Sequence, residues 1–210
     1  DSLDYFKYLF PYDFKELYEP RIVNSIYFDT ENLYLANQNN EGIKNRFKVR
    51  IRYYGNHSIL NDPILEIKLK KGQIGKKFRF SLERKDLIKY NFQIINLINT
   101  DKLPIFISDI LLQVKPIVSI KYLRNYYSAI NKKYRLTFDR NISFKILNNA
   151  NIMESIERNA EFNYFNQILE IKYSKLIELN SSLISGSLPV RLSNCSKYII
   201  ALNSLGMNII

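Results

Sequence analysis

The run Arg46-Phe47-Lys48-Val49-Arg50-Ile51-Arg52-Tyr53 alternates without a break between cationic and apolar residues. Side chains along an extended strand point to opposite faces with a period of two. Arg46, Lys48, Arg50 and Arg52 therefore share one face, and Phe47, Val49, Ile51 and Tyr53 share the other. A helical period would scatter both sets around the surface. The same alternation recurs at 65–70, where Glu66, Lys68 and Lys70 oppose three aliphatics. Lys77, Arg79, Ser81 and Glu83 oppose Phe78, Phe80 and Leu82. Arg135, Thr137 and Asp139 oppose Leu136 and Phe138, and Glu170 and Lys172 oppose Leu169, Ile171 and Tyr173.

Working outward, segments rich in β-branched and aromatic residues predict strands at 22–28, 46–54, 64–70, 77–83, 117–124, 134–138, 143–147 and 168–173. Helical patterns fall within 3–17, just after Asp29, and at 86–98, 105–113 and 193–204, the last with Ser193 or Asn194 as its cap. Most strands follow one another without a helical crossover, which predicts an α+β fold: an antiparallel β-barrel with a few peripheral helices. Six glycines and six prolines in 210 residues, with no repeat and no linker, predict a single domain over 1–210. Lone Cys195 excludes an internal disulfide, and a single Cys with a single His excludes the usual zinc sites. No apolar run reaches the roughly 18–20 residues that cross a bilayer, and no signal-peptide pattern opens the chain. A cytoplasmic location is the expectation.

Thirty-one Lys and Arg against 20 Asp and Glu give a net charge of +11, which points to an anionic partner. An Asn-, Ile-, Lys- and Tyr-rich composition also raises the charge by codon bias alone, so placement matters more than the sum. Two like charges ~6 Å apart on neighbouring strands repel by about 3 kcal/mol at an effective dielectric of ~20. A face this cationic asks for an anion to neutralise it. Closing the sheet with that face inward gives a basic lumen suited to a polyanion.

Ser25-Ile26-Tyr27-Phe28-Asp29-Thr30, followed by Arg50-Ile51-Arg52-Tyr53-Tyr54-Gly55 and Leu65-Glu66-Ile67-Lys68, resembles the VTC domain. This is the polyphosphate-polymerase domain of the vacuolar transporter chaperone complex, with bacterial relatives, in the triphosphate tunnel metalloenzyme superfamily. The likeness continues through Lys77-Phe78-Arg79-Phe80, Tyr122-Leu123-Arg124-Asn125-Tyr126 and Arg135-Leu136-Thr137-Phe138-Asp139-Arg140. It ends with Glu170-Ile171-Lys172 and Ser196-Lys197-Tyr198. What it implies is transfer of the γ-phosphoryl group of ATP to a polyphosphate chain, with pyrophosphate as primer and Mn²⁺ or Mg²⁺ assisting.

Under that resemblance Arg50 and Arg52 match paired arginines on the nucleotide phosphates, and Lys68 and Lys77 match tunnel lysines on the chain. Tyr122 and Arg124 match a Tyr-x-Arg pair at the phosphate site, and Arg140 is a further basic contact. Glu170 matches the metal-binding glutamate, with Glu66 as a second candidate. Ser196 and Lys197 match a Ser-Lys pair near the tunnel exit. Members open with a strand carrying a Glu-x-Lys-like motif ahead of the first helix; the expectation is that Asp1-Ser2-Leu3 already falls inside that helix, so that this strand is not among the residues read here. A membrane-associated partner protein is a further family expectation.

The chemistry fits the residue types. Arginine's planar fork holds phosphate oxygens bidentately, whereas lysine's point charge lets a chain slip along. An ionised phosphate nucleophile needs no general base. His57 reads as solvated, Cys195 as packed beneath the last helix, and Asp29 as a cap for the following turn. Two other functions compete: a non-catalytic polyphosphate or nucleotide binder, and a triphosphatase of the same superfamily. Nucleic acid is not expected, since most tyrosines fall opposite the arginines and a stacking platform needs them alongside. Replacing both arginines (Arg50→Ala with Arg52→Ala) should weaken tripolyphosphate binding by about tenfold or more in calorimetry; unchanged affinity removes them from the site.

Overall fold

The computed structural model describes residues 13–72, 74–101, 103–148, 150–173 and 193–207. In chain order the elements are β1 (Phe14–Asp29), α1 (Tyr34–Asn40), β2 (Asn45–Tyr54), β3 (Asn61–Lys71), β4 (Ile74–Ser81) and α2 (Arg84–Lys89). A short 3₁₀ turn (Ile94–Asn96) precedes α3 (Ile105–Gln113), β5 (Lys115–Ala129) and β6 (Tyr134–Ile146). Then come α4 (Ile152–Arg158), β7 (Phe162–Tyr164), β8 (Ile168–Tyr173) and α5 (Lys197–Ser204). The eight strands are hydrogen-bonded in the order β4-β3-β2-β1-β5-β6-β7, with β8 also on β6. β1 with β2, β2 with β3, β3 with β4 and β6 with β8 pair antiparallel, as the sequence predicts. Among the described residues this order has two ends, β4 and β7, so backbone pairing leaves the expected barrel open. No described helix is long and apolar enough to cross a membrane.

The chain divides into two compact units. One holds the described residues of Ile22–Lys121, Ser143–Tyr164 and Ser196–Ile210; the other holds those of Asp1–Arg21, Tyr122–Ile142 and Phe165–Cys195. The core of the first gathers Val49, Ile51 and Tyr53 of β2, Leu65 and Ile67 of β3, and Leu35 of α1. The core of the second is built from Tyr127, Tyr134, Leu136 and Phe138, with Leu169 and Ile171 against it. Burying apolar side chains like these contributes on the order of 1.5–3 kcal/mol each, which is what fixes the strand faces.

Several elements differ from the sequence reading for identifiable reasons. The runs at 134–138 and 143–147 belong to one strand, β6, which passes through Asn141 at φ 51°. Asparagine tolerates that left-handed conformation, so the polar interruption is an irregularity and not an end. The helix expected at 86–98 stops at Lys89, because Asn91 and Phe92 take positive φ as Phe92 turns fully into the core. Phe14–Leu17, expected to be helical, begin β1, while residues 1–12 of that expected helix lie outside the described residues. Helix α4 was not anticipated, although Asn151 caps it by accepting from the Glu154 amide at 3.1 Å. Helix α5 starts later than expected, with Ser196 and not Ser193 or Asn194 at its N-cap position. Cys195 is exposed, not packed beneath that helix.

Two polar residues, one buried and one half-buried, stabilise the larger unit. Asp29 caps α1 as expected: its carboxylate accepts from the Thr30 and Leu35 amides on one oxygen and from the Ala36 amide and the Tyr198 hydroxyl on the other, each at 2.8 Å. Burial pushes its carboxyl above the usual range even against these donors. His57, expected to be solvated, is instead held in a polar pocket lined by Ser119, Lys121, Ser143, Lys145 and Glu161. Its Nδ1–H donates to Asn24 Oδ1 at 2.6 Å, an orientation fixed because Asn24 Nδ2 donates to Gly55 O at 2.9 Å. That tautomer leaves Nε2 to accept from the Ser119 hydroxyl at 3.2 Å. Burial, with Lys145 and Lys121 nearby, holds the imidazole down to about 4 and hence neutral.

Each feature has a measurable consequence. A base whose folded pKa lies below its unfolded value binds its proton more readily when unfolded, so its contribution to stability is full above the unfolded pKa and is lost as pH is lowered towards the folded one. Between pH 6.5 and pH 4 the His57 shift corresponds to about 3 kcal/mol, and urea unfolding should show this slope in the wild type and lose it in His57→Gln. Removing the Asp29 carboxylate strands buried donors; Asp29→Ala should lower unfolding free energy by about 3 kcal/mol by the same assay.

Candidate functional site

The register of β1 to β4 sets the charged side chains in rows across the sheet. One row runs Tyr27, Arg50, Glu66, Arg79; the next runs Lys48, Lys68, Lys77. On their flanks Ser25 stands opposite Arg52, and Arg46 opposite Lys70. Side chains directly opposite across an antiparallel pair lie about 4.5–5.5 Å apart at Cβ, so Lys48, Lys68 and Lys77 are neighbours of like charge. Among the paired residues 46–52 of β2, 64–70 of β3 and 75–81 of β4, Glu66 is the sole carboxylate.

Glu66 is 5% exposed and is held by four cations. Its Oε2 accepts from Arg50 Nε at 2.8 Å and Nη2 at 2.6 Å, with Arg52 Nη1 at 3.9 Å. Its Oε1 meets Arg79 Nε at 3.3 Å and the Lys77 ammonium. Burial alone would raise the carboxyl; Arg50, Lys77 and Arg52 outweigh it and hold the group at about 2. Burial lowers both Lys48 and Lys77, and the neighbouring cations add to that effect. The charge here is therefore crowded as well as concentrated.

A polar frame surrounds the cluster in the same unit. Arg50 Nη1 donates to the Tyr27 hydroxyl at 3.1 Å. The Tyr27 ring stacks on Tyr198, with centroids 4.9 Å apart and planes 4° apart. Burial would raise the Tyr27 hydroxyl, but Arg50, Arg52 and Lys48 lower it below the ordinary tyrosine value. Lys48 Nζ donates to Ser196 Oγ at 3.0 Å, and Lys197 opens α5 beside it. Helix α5 is thus tied to the cationic strands at Lys48 and at Tyr27, and to the end of β1 through the Asp29–Tyr198 bond.

Of the residues singled out from sequence, Arg50, Arg52, Glu66, Lys68 and Lys77 share this face, and Ser196 reaches it through Lys48. Tyr122, Arg124, Arg140 and Glu170 belong to the other unit. There Arg124 Nε and Nη2 donate to the two oxygens of buried Asp139 at 2.6 and 2.7 Å, a bidentate pair. Arg124 also lies over the buried Tyr122 ring, 5.2 Å from its centroid. Half-exposed Glu170 is 3.8 Å from Arg124 and 3.3 Å from Lys172. Sequence reasoning did not assign Lys48, Tyr27 or Arg79 to the site. The alternation that placed Arg50 also places Lys48 and Arg79 on its face; Tyr27 needs the β1–β2 register.

Among the described residues no three His, Cys, Asp or Glu side chains gather as a metal site. At Glu66 both oxygens already meet cations, four among the described residues, which disfavours a further divalent cation there. Glu170 suits a single carboxylate donor, because Mg²⁺ and Mn²⁺ take most of their shell from phosphates and water.

A profile of the VTC domain matches residues 4–206. No functionally curated protein matches the chain in sequence. Among solved structures, a candidate adenylate cyclase from Bacillus halodurans is 13% identical with a TM-score of 0.53, over 85% of this chain and 80% of that one. A candidate adenylyl cyclase from Hippeastrum, described as having a dominant triphosphatase activity, is 12% identical with a TM-score of 0.52, over 90% of this chain and 84% of that one. Both share the triphosphate tunnel fold, and at these identities the likeness is one of fold. With a family match along almost its whole length, this chain belongs to the VTC domain family.

Proposed function

We propose that this chain, as one VTC-like domain, transfers the γ-phosphoryl group of ATP to the end of an inorganic polyphosphate chain. The observation that carries the reading is the pairing of two arginines with a row of three lysines on one face, with a single carboxylate among them. Phosphoryl transfer demands positioning and charge stabilisation more than covalent chemistry. Arg50 and Arg52 hold the nucleotide phosphates, their forks matching two oxygens at once. Lys68 and Lys77, exposed at the edge of the cluster, contact the polyphosphate chain without gripping it. Ser196 and Lys197 contact the chain at the start of α5.

Arg124, Tyr122 and Arg140 keep the phosphate-site roles that the family pattern assigns them. Of Arg124's three nitrogens, Asp139 occupies Nε and Nη2, so Nη1 is the atom directed to phosphate in this reading. Glu170 is the donor for a divalent metal, Mn²⁺ or Mg²⁺. When bound, the metal neutralises charge on the transferring group. The attacking oxygen belongs to an ionised phosphate, so no residue has to remove a proton.

A non-catalytic polyphosphate binder and a triphosphatase are the alternatives, and one experiment separates all three. In ³¹P NMR of the protein with ATP, Mn²⁺ and pyrophosphate, growth of internal-phosphate signals is the expected result. Unchanged ATP together with tripolyphosphate binding identifies a binder, and release of orthophosphate from tripolyphosphate identifies a hydrolase. Either of those outcomes overturns the polymerase reading.

A further inference from the structure

Resting on the reading of the cationic face as a phosphate site, we infer that Lys48 is a further contact for the polyphosphate chain, joining the Lys68 and Lys77 row to Ser196 and Lys197 at the start of α5.

Position carries this first. Lys48 stands directly opposite Lys68 on β3, and Lys68 stands opposite Lys77 on β4. The Lys48 ammonium also donates to Ser196 Oγ at 3.0 Å, and Lys197 follows as the first residue of α5. All five belong to the larger unit. They form one connected run of donors in which Lys48 is the middle member.

Charge carries it second. Lys48 is half-buried. Among the described residues Ser196 is its one hydrogen-bond partner, and no carboxylate pairs with it there. A hydroxyl takes up one of the three ammonium protons and neutralises none of the charge. Lys77 differs, because Glu66 already meets it. Burial is the chief cause that lowers the Lys48 ammonium; Tyr27 opposes it, and Lys68, Arg46 and Arg50 add to it. Removing a cation from water without a counter-ion is costly. A phosphate oxygen supplies both an acceptor for the remaining N–H groups and the missing negative charge. The Ser196 hydroxyl, whose oxygen accepts from Lys48, keeps its own O–H to donate to the same chain.

A purely structural tie between β2 and α5 is the competing role, and Lys48→Gln separates the two. Glutamine keeps an N–H for Ser196 and removes the charge. K48Q should bind long-chain polyphosphate about tenfold more weakly than the wild type in calorimetry. Its log affinity should also fall less steeply with log salt, by about 0.7 in slope, because one ion pair fewer releases counter-ions. Lys85→Met, a charge loss at an exposed position of α2 outside this face, should change the affinity less than about twofold. An unchanged salt slope in K48Q, with the wild type still binding, overturns the contact and leaves the phosphate-site reading intact. If the wild type fails to bind polyphosphate, both fall.

Should K48Q not fold, the wild type decides alone. Around the Lys48 ammonium stand Tyr27 of β1, Arg46 and Arg50 of β2, Lys68 of β3, and Ser196 with Lys197 at α5. Phosphate entering that set favours the charged amine. With ¹⁵N-labelled lysine, saturating long-chain polyphosphate should therefore move the Lys48 titration upward and leave that of Lys85 in place. A Lys48 titration that stays put overturns the contact.

Discussion

Lys48, Lys68 and Lys77 face one another across three antiparallel strands, and Arg50 and Arg79 stand in the adjoining row. Such an arrangement repels itself, and what enforces it is the opposite face of the same strands. Phe47, Val49, Ile51 and Tyr53 with Leu65 and Ile67 lie in the core. A slip of one residue in register would drive these into solvent and the cations into the core. The hydrophobic effect on one side of the sheet thus holds electrostatic strain on the other. The site exists because burial outweighs repulsion at this register.

The frame around the cationic strands shares that division of labour. Asp29 closes β1 by capping α1 and receiving Tyr198, and Tyr198 stacks on the ring whose hydroxyl meets Arg50. Lys48 adds a second tie to α5 through Ser196. A helix far along the chain is therefore positioned by polar contacts that begin at the end of the first strand. Each contact is short and buried or half-buried, which gives it more weight than a surface pair.

Two guanidinium–carboxylate contacts in this chain make opposite statements. Arg124 and Asp139 form a buried bidentate pair, with Glu170 a second carboxylate 3.8 Å from Arg124. Removing either partner would leave a buried charge uncompensated. Glu66 instead serves four cations from a single carboxylate. The first arrangement sets two carboxylates beside one guanidinium, whereas the second gathers four cations around one described carboxylate. Sequence spacing alone does not distinguish them, since both join an Arg on one strand to an acid on the next.

The period-two alternation by itself determined that β2, β3, β4 and β8 are strands and that Arg50, Arg52, Lys68 and Lys77 each lie on the polar face of their own strand, and the lack of helical crossovers pointed to an antiparallel sheet. That information is local, because side-chain direction along a strand depends only on position parity. The family motifs along the chain likewise required no coordinates. Tertiary structure decided which residues meet. It brought Tyr198 to Asp29 across 169 residues, moved His57 from presumed solvent into a pocket, and carried β6 through Asn141. It also gathered four cations from two neighbouring strands around Glu66. These outcomes depend on inter-strand register and on burial, which are properties of the assembled sheet and are encoded in no single segment.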